Sequence, residues 1–272
     1  MGAEATQGGS AADRWDRPDL VTALRQVLAD TGLDRGPVTV DQLAPLDQFH
    51  AGGIGFTRRL AALGGLAAGM QVLDVGGGLG GPARTIAAEL GCRVTVVDLA
   101  PSYVEAGRLL TSLAGLEDRV AFRIGDALAL DVPDASVDIV WTQNSGMSIA
   151  DKARLYAGFR RALRSGGRLV TQEPMAGPGG PTILPTMWAT VPDDDQLRPP
   201  AVMRATIEAA GFRVLAWEEV VPPPVVDAPP PERTVQGLVM GVAHLREIAA
   251  AARRNEAEHR TILIHAVAEA IG

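Results

Sequence analysis

Three features of this 272-residue sequence predict a doubly wound α/β fold built on a mostly parallel sheet. From Gln71 onward, short β-branched runs alternate with helical segments. Gly76, Gly78 and Gly81 fall between the first such strand and the helix after it, and Asp74, Asp98 and Asp126 stand at successive strand ends. Apolar strands joined by helices belong in a parallel sheet covered on both faces, where ligands collect outside the carboxyl ends of the strands.

The elements follow in order. Residues 15–30 (WDRPDLVTALRQVLAD) set Leu20, Leu24 and Leu28 four apart beside Val21 and Val27, which predicts a helix with one apolar face. Asp41 heads a short second helix with Leu43 and Leu46 inward, and a third is predicted over 53–66. Because these helices precede the first strand, residues 13–66 are expected to cap the end of a core spanning 67–272. Strands are predicted in QVLDV, RVTVVDL, VAFRIGDA, DIVWTQ, RLVTQE, FRVLAWEEV and ILIHAVAEA. Helices are predicted over 82–90, 101–114, 151–163, 201–210 and 235–254. The proline-rich stretch 222–231 cannot join a sheet interior, so lid elements are expected around 176–200 and 222–258.

Composition narrows the function. The net charge is -7 and arginines come as scattered pairs such as Arg58-Arg59, so no basic stripe neutralises phosphates and a nucleic acid partner is disfavoured. A single cysteine, Cys92, leaves no intramolecular disulfide and no cysteine-based metal cluster; it reads as a small hydrophobe. The first residues (MGAEATQGGSAA) lack a charged start and an apolar stretch, and no later segment reaches the roughly 18 apolar residues of a membrane span. A disordered tail over 1–12, no membrane partner, a cytoplasmic location and a monomer or homodimer are expected.

The spacing G-x-G-x-x-G after a strand and before a helix lets a ligand approach the backbone and the helix N-terminus, but dinucleotides and sulfonium cofactors both use it. Asp74 adds a carboxylate inside an apolar strand end, where it must hold the turn's amides or meet a cationic ligand. Asp98 can accept both ribose hydroxyls of either cofactor, and Asp126 is expected near an adenine amino group.

The segments VLDVGGGLGGPAR, VVDLAPSYVEAGR, GDALALDVPDASVDIVWTQ and ALRSGGRLV resemble the successive signature segments of class I S-adenosylmethionine-dependent methyltransferases, over roughly residues 46–220. Within that superfamily the chain is similar to the small-molecule branch holding sarcosine and dimethylglycine, phosphoethanolamine and natural-product tailoring methyltransferases; DQFHAGGIGFTRRLAAL resembles the segment covering the methionine end of the cofactor. The resemblance implies a Rossmann-like, mostly parallel seven-stranded sheet with its last strand antiparallel. It further implies that Gly76, Gly77 and Gly78 approach the amino-acid part of S-adenosylmethionine and that Asp98 binds ribose. Leu99 and Ala127 would sandwich adenine, Asp126 would bond its edge, and Phe49, His50 and Gln143 would complete the pocket.

Methyl transfer from a sulfonium is an in-line displacement that needs no metal, so none is expected and the catalytic signature is sparse. His50 is the first candidate for a general base, with holding the cofactor as its other reading; His244, His259 and His265 read as solvated or packing residues. Asn144, which can orient an acceptor, and Glu173, which can attract an amine or act as base, are expected to face the same crevice; both also read as loop or capping residues. The loop QNSGMSIADK departs from the relatives' QHxxMNIADK and lacks its histidine; phosphobase enzymes carry an acid and a histidine where this chain has Asn144 and Ser148. Met147, Leu184, Met187 and Trp188 either line a pocket for a bulky substrate or pack. The expected activity is methylation of an O, N or C atom of a small, secondary-metabolite acceptor. Two alternatives stay open: a methyltransferase fold that retains the cofactor for a cyclisation, and an NAD-dependent oxidoreductase.

Overall fold

Three helices lead the chain into the sheet: α1 (Leu20–Thr31), α2 (Val40–Asp47) and α3 (Gly53–Gly64). The computed structural model describes residues 15–223 and 229–272; the tail expected over 1–12 and part of the proline-rich stretch lie outside them. Helix α1 starts at Leu20 and not at residue 15, because Arg17 precedes Pro18 and the residue before a proline is steered out of the helical region. Helix α2 opens on a capping box: Thr39 Oγ1 accepts from the Gln42 amide (3.3 Å) and the Thr39 amide donates to Gln42 Oε1 (3.0 Å). The helix ends on Asp47, so this cap also fixes a residue of the cavity described below. Thr39→Ala is expected to lower unfolding free energy by about 1 kcal/mol, read from a denaturant midpoint that shifts with unchanged slope.

The core then alternates: β1 (Gln71–Val75), α4 (Gly81–Leu90), β2 (Arg93–Asp98), α5 (Pro101–Leu113), β3 (Val120–Ile124), β4 (Val137–Gln143), α6 (Lys152–Ala162), β5 (Leu163–Ala176), α7 (Pro200–Ala209) and β6 (Phe212–Val220). It closes with α8 (Val235–Met240), α9 (Val242–Ala257) and β7 (Thr261–Ala270). The single helix expected over 235–254 is two, broken at Gly241, whose φ of +76° and ψ of 140° do not continue a helix.

The seven strands lie in the order β3-β2-β1-β4-β5-β7-β6. β1 to β5 are parallel, and β7 inserts antiparallel between β5 and β6. An all-parallel dinucleotide-binding sheet ends in strand order 4-5-6, so the inserted antiparallel strand separates this fold from it.

Both faces are covered. Leu155, Tyr156 and Phe159 of α6 and Met203 and Ile207 of α7 pack on one. Leu60 of α3 and Ala83, Ile86 and Ala87 of α4 pack on the other. Leu20, Leu24 and Leu28 of α1, with Leu43 and Leu46 of α2, join Leu110 of α5 and Val239 of α8 in a separate cluster. Helices α1, α2 and α8 are thereby held together against α5. Cys92 is fully buried and donates to the Ala67 carbonyl (3.2 Å), as a small core residue.

Candidate active site

A cavity of about 890 Å³ opens at the carboxyl ends of β1, β2, β4 and β5. Asp74, Gly76, Gly77, Gly78, Asp98, Leu99, Asp126 and Ala127 line it on one side, with Phe49, His50 and Gln143 beside them. The sequence-selected set therefore converges on a single site. Of the pocket candidates, Met147, Met187 and Trp188 line it and Leu184 does not.

Asp74 is 1% exposed and its Oδ2 has no hydrogen-bond partner among the described residues. Burial, reinforced by the nearby Asp98 carboxylate and opposed by Arg84, pushes its pKa up to about 8. Of the two roles open to it in the sequence, the structure gives the holding of amides to its neighbour. Asp98 Oδ2 accepts from the Gly78 amide (2.8 Å) and Oδ1 from the Ala100 amide (3.0 Å). Asp126 Oδ1 accepts from the Leu128 amide (2.8 Å) at the cavity rim.

The glycine turn is shaped from below as well as by what it faces. A Cβ on Gly77 would lie 2.5 Å from Asp74 Oδ2, and one on Gly81 would lie 2.4 Å from the Asp47 carbonyl oxygen. The last glycine of the motif thus exists for the docking of α2 and not for ligand approach. Asp47 itself is buried and ion-paired to the buried Arg84 (3.0 Å), with burial raising its pKa to about 6 against the pull of the guanidinium. Sequence reasoning missed this pair; an arginine on the apolar stretch GPARTIAAEL was the available signal.

A chain of neutral polar side chains backs the site. Burial lowers the pKa of His50 to about 4, so the ring is neutral with one N–H; Nδ1 lies 3.0 Å from the Ala51 carbonyl and Nε2 2.9 Å from Gln48 Oε1, and the ring donates to one of them. Gln143 Oε1 accepts from Trp141 Nε1 (3.1 Å) and Thr57 Oγ1 (3.2 Å). Gln172 Nε2 donates to Asn144 Oδ1 (2.7 Å), and Gln172 Oε1 pairs with His265 Nε2 (2.8 Å). With its oxygen so engaged, Asn144 presents its amide NH2 as the remaining donor at the cavity wall. His265 is a core residue, as expected.

Glu173 lies inside β5, which runs on to Ala176, and its carboxylate does not face the cavity. It accepts from the amides of Ser145 (3.3 Å), Gly146 (2.7 Å) and Met147 (3.2 Å), and burial pushes its pKa up despite these bonds. Lys152 donates to the carbonyls of Gly146 (2.5 Å) and Ile149 (2.7 Å) from the other side. The two clamp the loop after β4, whose Ser148 Oγ is buried without a partner among the described residues and whose backbone lines the cavity. Lys152 too was overlooked in the sequence.

Residues 73–171 match the methyltransferase domain family. The chain is 38% identical over 113 residues to the 27-O-demethylrifamycin SV methyltransferase of Amycolatopsis mediterranei, covering 42% of each protein. It is 31% identical over 152 residues to a sarcosine/dimethylglycine N-methyltransferase of Halorhodospira halochloris, covering 54% of this chain and 53% of that protein. The chain spans about half or less of the length of the curated relatives it matches. In fold it is similar to phosphoethanolamine N-methyltransferase 2 of Haemonchus contortus (TM-score 0.72, 17% identity, 98% of this chain and 61% of that one). It is also similar to the [4+2]-cyclase SpnF (TM-score 0.65, 23% identity, 93% of this chain and 94% of that one). Its sheet order and glycine turn give the chain the Rossmann-like fold of the methyltransferases it resembles, with the methyltransferase domain match lying at residues 73–171.

Proposed function

We propose that this protein transfers a methyl group from S-adenosylmethionine to an O, N or C atom of a small acceptor of secondary-metabolite type. The observation that carries the reading is the buried, unpartnered Asp74 Oδ2 beneath the glycine turn, a carboxylate built for a cationic ligand. In this reading Asp74 would hold the cofactor's ammonium, Gly76, Gly77 and Gly78 its amino-acid part, and Asp98 its ribose. Leu99 and Ala127 would flank the adenine and Asp126 would bond its edge, with Phe49, His50 and Gln143 closing the methionine end. When bound, S-adenosylmethionine supplies the electrophilic sulfonium methyl.

The chain's own contribution is alignment and exclusion of water. Asn144 donates its amide NH2 to the acceptor. His50, a neutral ring packed against Gln48 and Gln143, holds the wall they form, and its unprotonated nitrogen is the group on this side that would take the acceptor's proton. Glu173 and Lys152 act through the loop they clamp.

A cationic ligand and a proton compete for Asp74. Its carboxyl is protonated below about pH 8, so binding must expel that proton. Affinity for S-adenosylhomocysteine is therefore expected to weaken as pH falls from about 8 to about 6, by up to about tenfold per unit, and Asp74→Asn to bind weakly without that slope. Calorimetric titration across this window checks it; Asp47, with its pKa raised to about 6, titrates at the acid end, so the slope nearer pH 8 is the one that reads Asp74.

The likeness to a [4+2]-cyclase and a wall of neutral groups favour one second reading, a cyclisation with the cofactor retained. Incubation with S-adenosylmethionine and a panel of phenols, amines and polycyclic ketones tests the choice by mass spectrometry. Methylated product with equimolar S-adenosylhomocysteine supports transfer; an isomerised substrate without S-adenosylhomocysteine supports cyclisation.

A further inference from the structure

We propose that the acceptor is a bulky, mainly apolar molecule whose polar groups are neutral or cationic, and that the cavity selects against phosphate- and carboxylate-bearing acceptors. The inference rests on the proposed function and names its substrate class. Among the described residues, none of those lining the cavity is a lysine or an arginine. Of the segments outside the described residues, 224–228 (PVVDA) contains no basic residue and 1–14 contains one, Arg14.

Away from the glycine turn the walls are Met147, Ile149, Trp188, Val221, Ile248 and Leu263. The acidic side chains along them are Asp151, Glu219 and Glu256, with the imidazole of His259 beside them. A cleft lined by one sign of charge with apolar walls focuses its field and raises the local concentration of the opposite sign.

Two groups suited to an anion are already engaged. Consecutive amides at Ser145, Gly146 and Met147 form a nest of the kind that binds anions, and Glu173 fills it from within the protein. Lys152, the ammonium nearest this loop, points its bonds at the carbonyls of Gly146 and Ile149. What this loop leaves for an acceptor's polar group is neutral, the amide of Asn144 and the hydroxyl of Ser148. A phosphate or carboxylate on the acceptor would be desolvated there without a cationic partner. The cofactor's own carboxylate differs, since it travels with its ammonium and lies at the glycine turn.

The test uses the full chain saturated with S-adenosylhomocysteine and three probes of one shape: 2-naphthalenemethanol, 2-naphthylmethylamine and 2-naphthoate, titrated by calorimetry. The alcohol and the amine are expected to bind, with naphthoate at least about tenfold weaker. Glu219→Lys with Glu256→Lys is expected to strengthen naphthoate and weaken the amine, each by about fivefold or more. Naphthoate binding as tightly as the alcohol, or no binding of any probe, overturns the proposal. Absence of S-adenosylhomocysteine binding would instead count against the function reading, and the probe series on the bare protein would still read the selectivity of the cavity.

Discussion

Arg84→Met is expected to cost about 3–5 kcal/mol of unfolding free energy, the range for breaking a buried ion pair from one side. Arg84 is fully buried, and besides Asp47 it donates to the carbonyls of Leu79 (2.6 Å) and Gly107 (3.1 Å) and to Thr111 Oγ1 (2.9 Å). One guanidinium thereby ties the end of α2, the glycine turn and α5 together. Its removal leaves the Asp47 carboxylate buried with no cation beside it. That carboxyl's folded pKa, already raised to about 6 with Arg84 present, must rise further. An acid with a raised folded pKa binds its proton more tightly when folded, so stability is lost as pH rises from the unfolded value through the folded one. The gap between variant and parent should therefore widen from about pH 5 to about pH 8. Arg84→Met with Asp47→Leu should recover most of the loss, because an apolar pair removes the stranded charge. Denaturant unfolding of the four proteins at two pH values measures all of this, and a single-variant loss under about 1 kcal/mol would show that the pair holds nothing together.

Gly76→Ala should abolish useful cofactor binding, with S-adenosylhomocysteine affinity down by about a hundredfold. Gly76 has φ +69°, a conformation L side chains rarely adopt, and an added Cβ would lie 2.4 Å from Ser145 Cβ. Ser145 cannot simply rotate away. Its Oγ donates to the Val75 carbonyl (3.1 Å) and bonds Thr142 Oγ1 (2.5 Å), and it follows Asn144, itself at φ +53°. The added methyl group therefore pushes the glycine turn and the acceptor-side loop apart together. Stability should fall by about 1–3 kcal/mol while circular dichroism stays native-like. Affinity within twofold of the parent would mean that the turn does not meet the ligand.

What the sequence made legible follows from range. Asp74, Asp98 and Asp126 sit at fixed offsets from short apolar runs, so local pattern alone brought them to one end of a parallel sheet. The pairing of Asp47 with Arg84, 37 residues apart, depends on how α2 lies on α4, which no local pattern encodes. Glu173 shows the same limit at closer range. A glutamate near a strand end predicts a group at the crevice, yet the loop after β4 folds back and presents three amides to it. The antiparallel direction of β7 came from family resemblance, and its insertion between β5 and β6 only from the structure, because strand order across a sheet leaves no trace in the alternation of elements. Gly241 was visible in the sequence, but an isolated glycine in a helical pattern is compatible with both an unbroken helix and two.

The most direct test of a methyl-donor site is calorimetric titration of the intact protein with S-adenosylhomocysteine and, separately, with NAD. Saturable one-to-one binding of S-adenosylhomocysteine, lost in Asp74→Asn and accompanied by proton release below about pH 8, is the expected result. Binding of NAD without S-adenosylhomocysteine, or S-adenosylhomocysteine binding unchanged by Asp74→Asn, would contradict it.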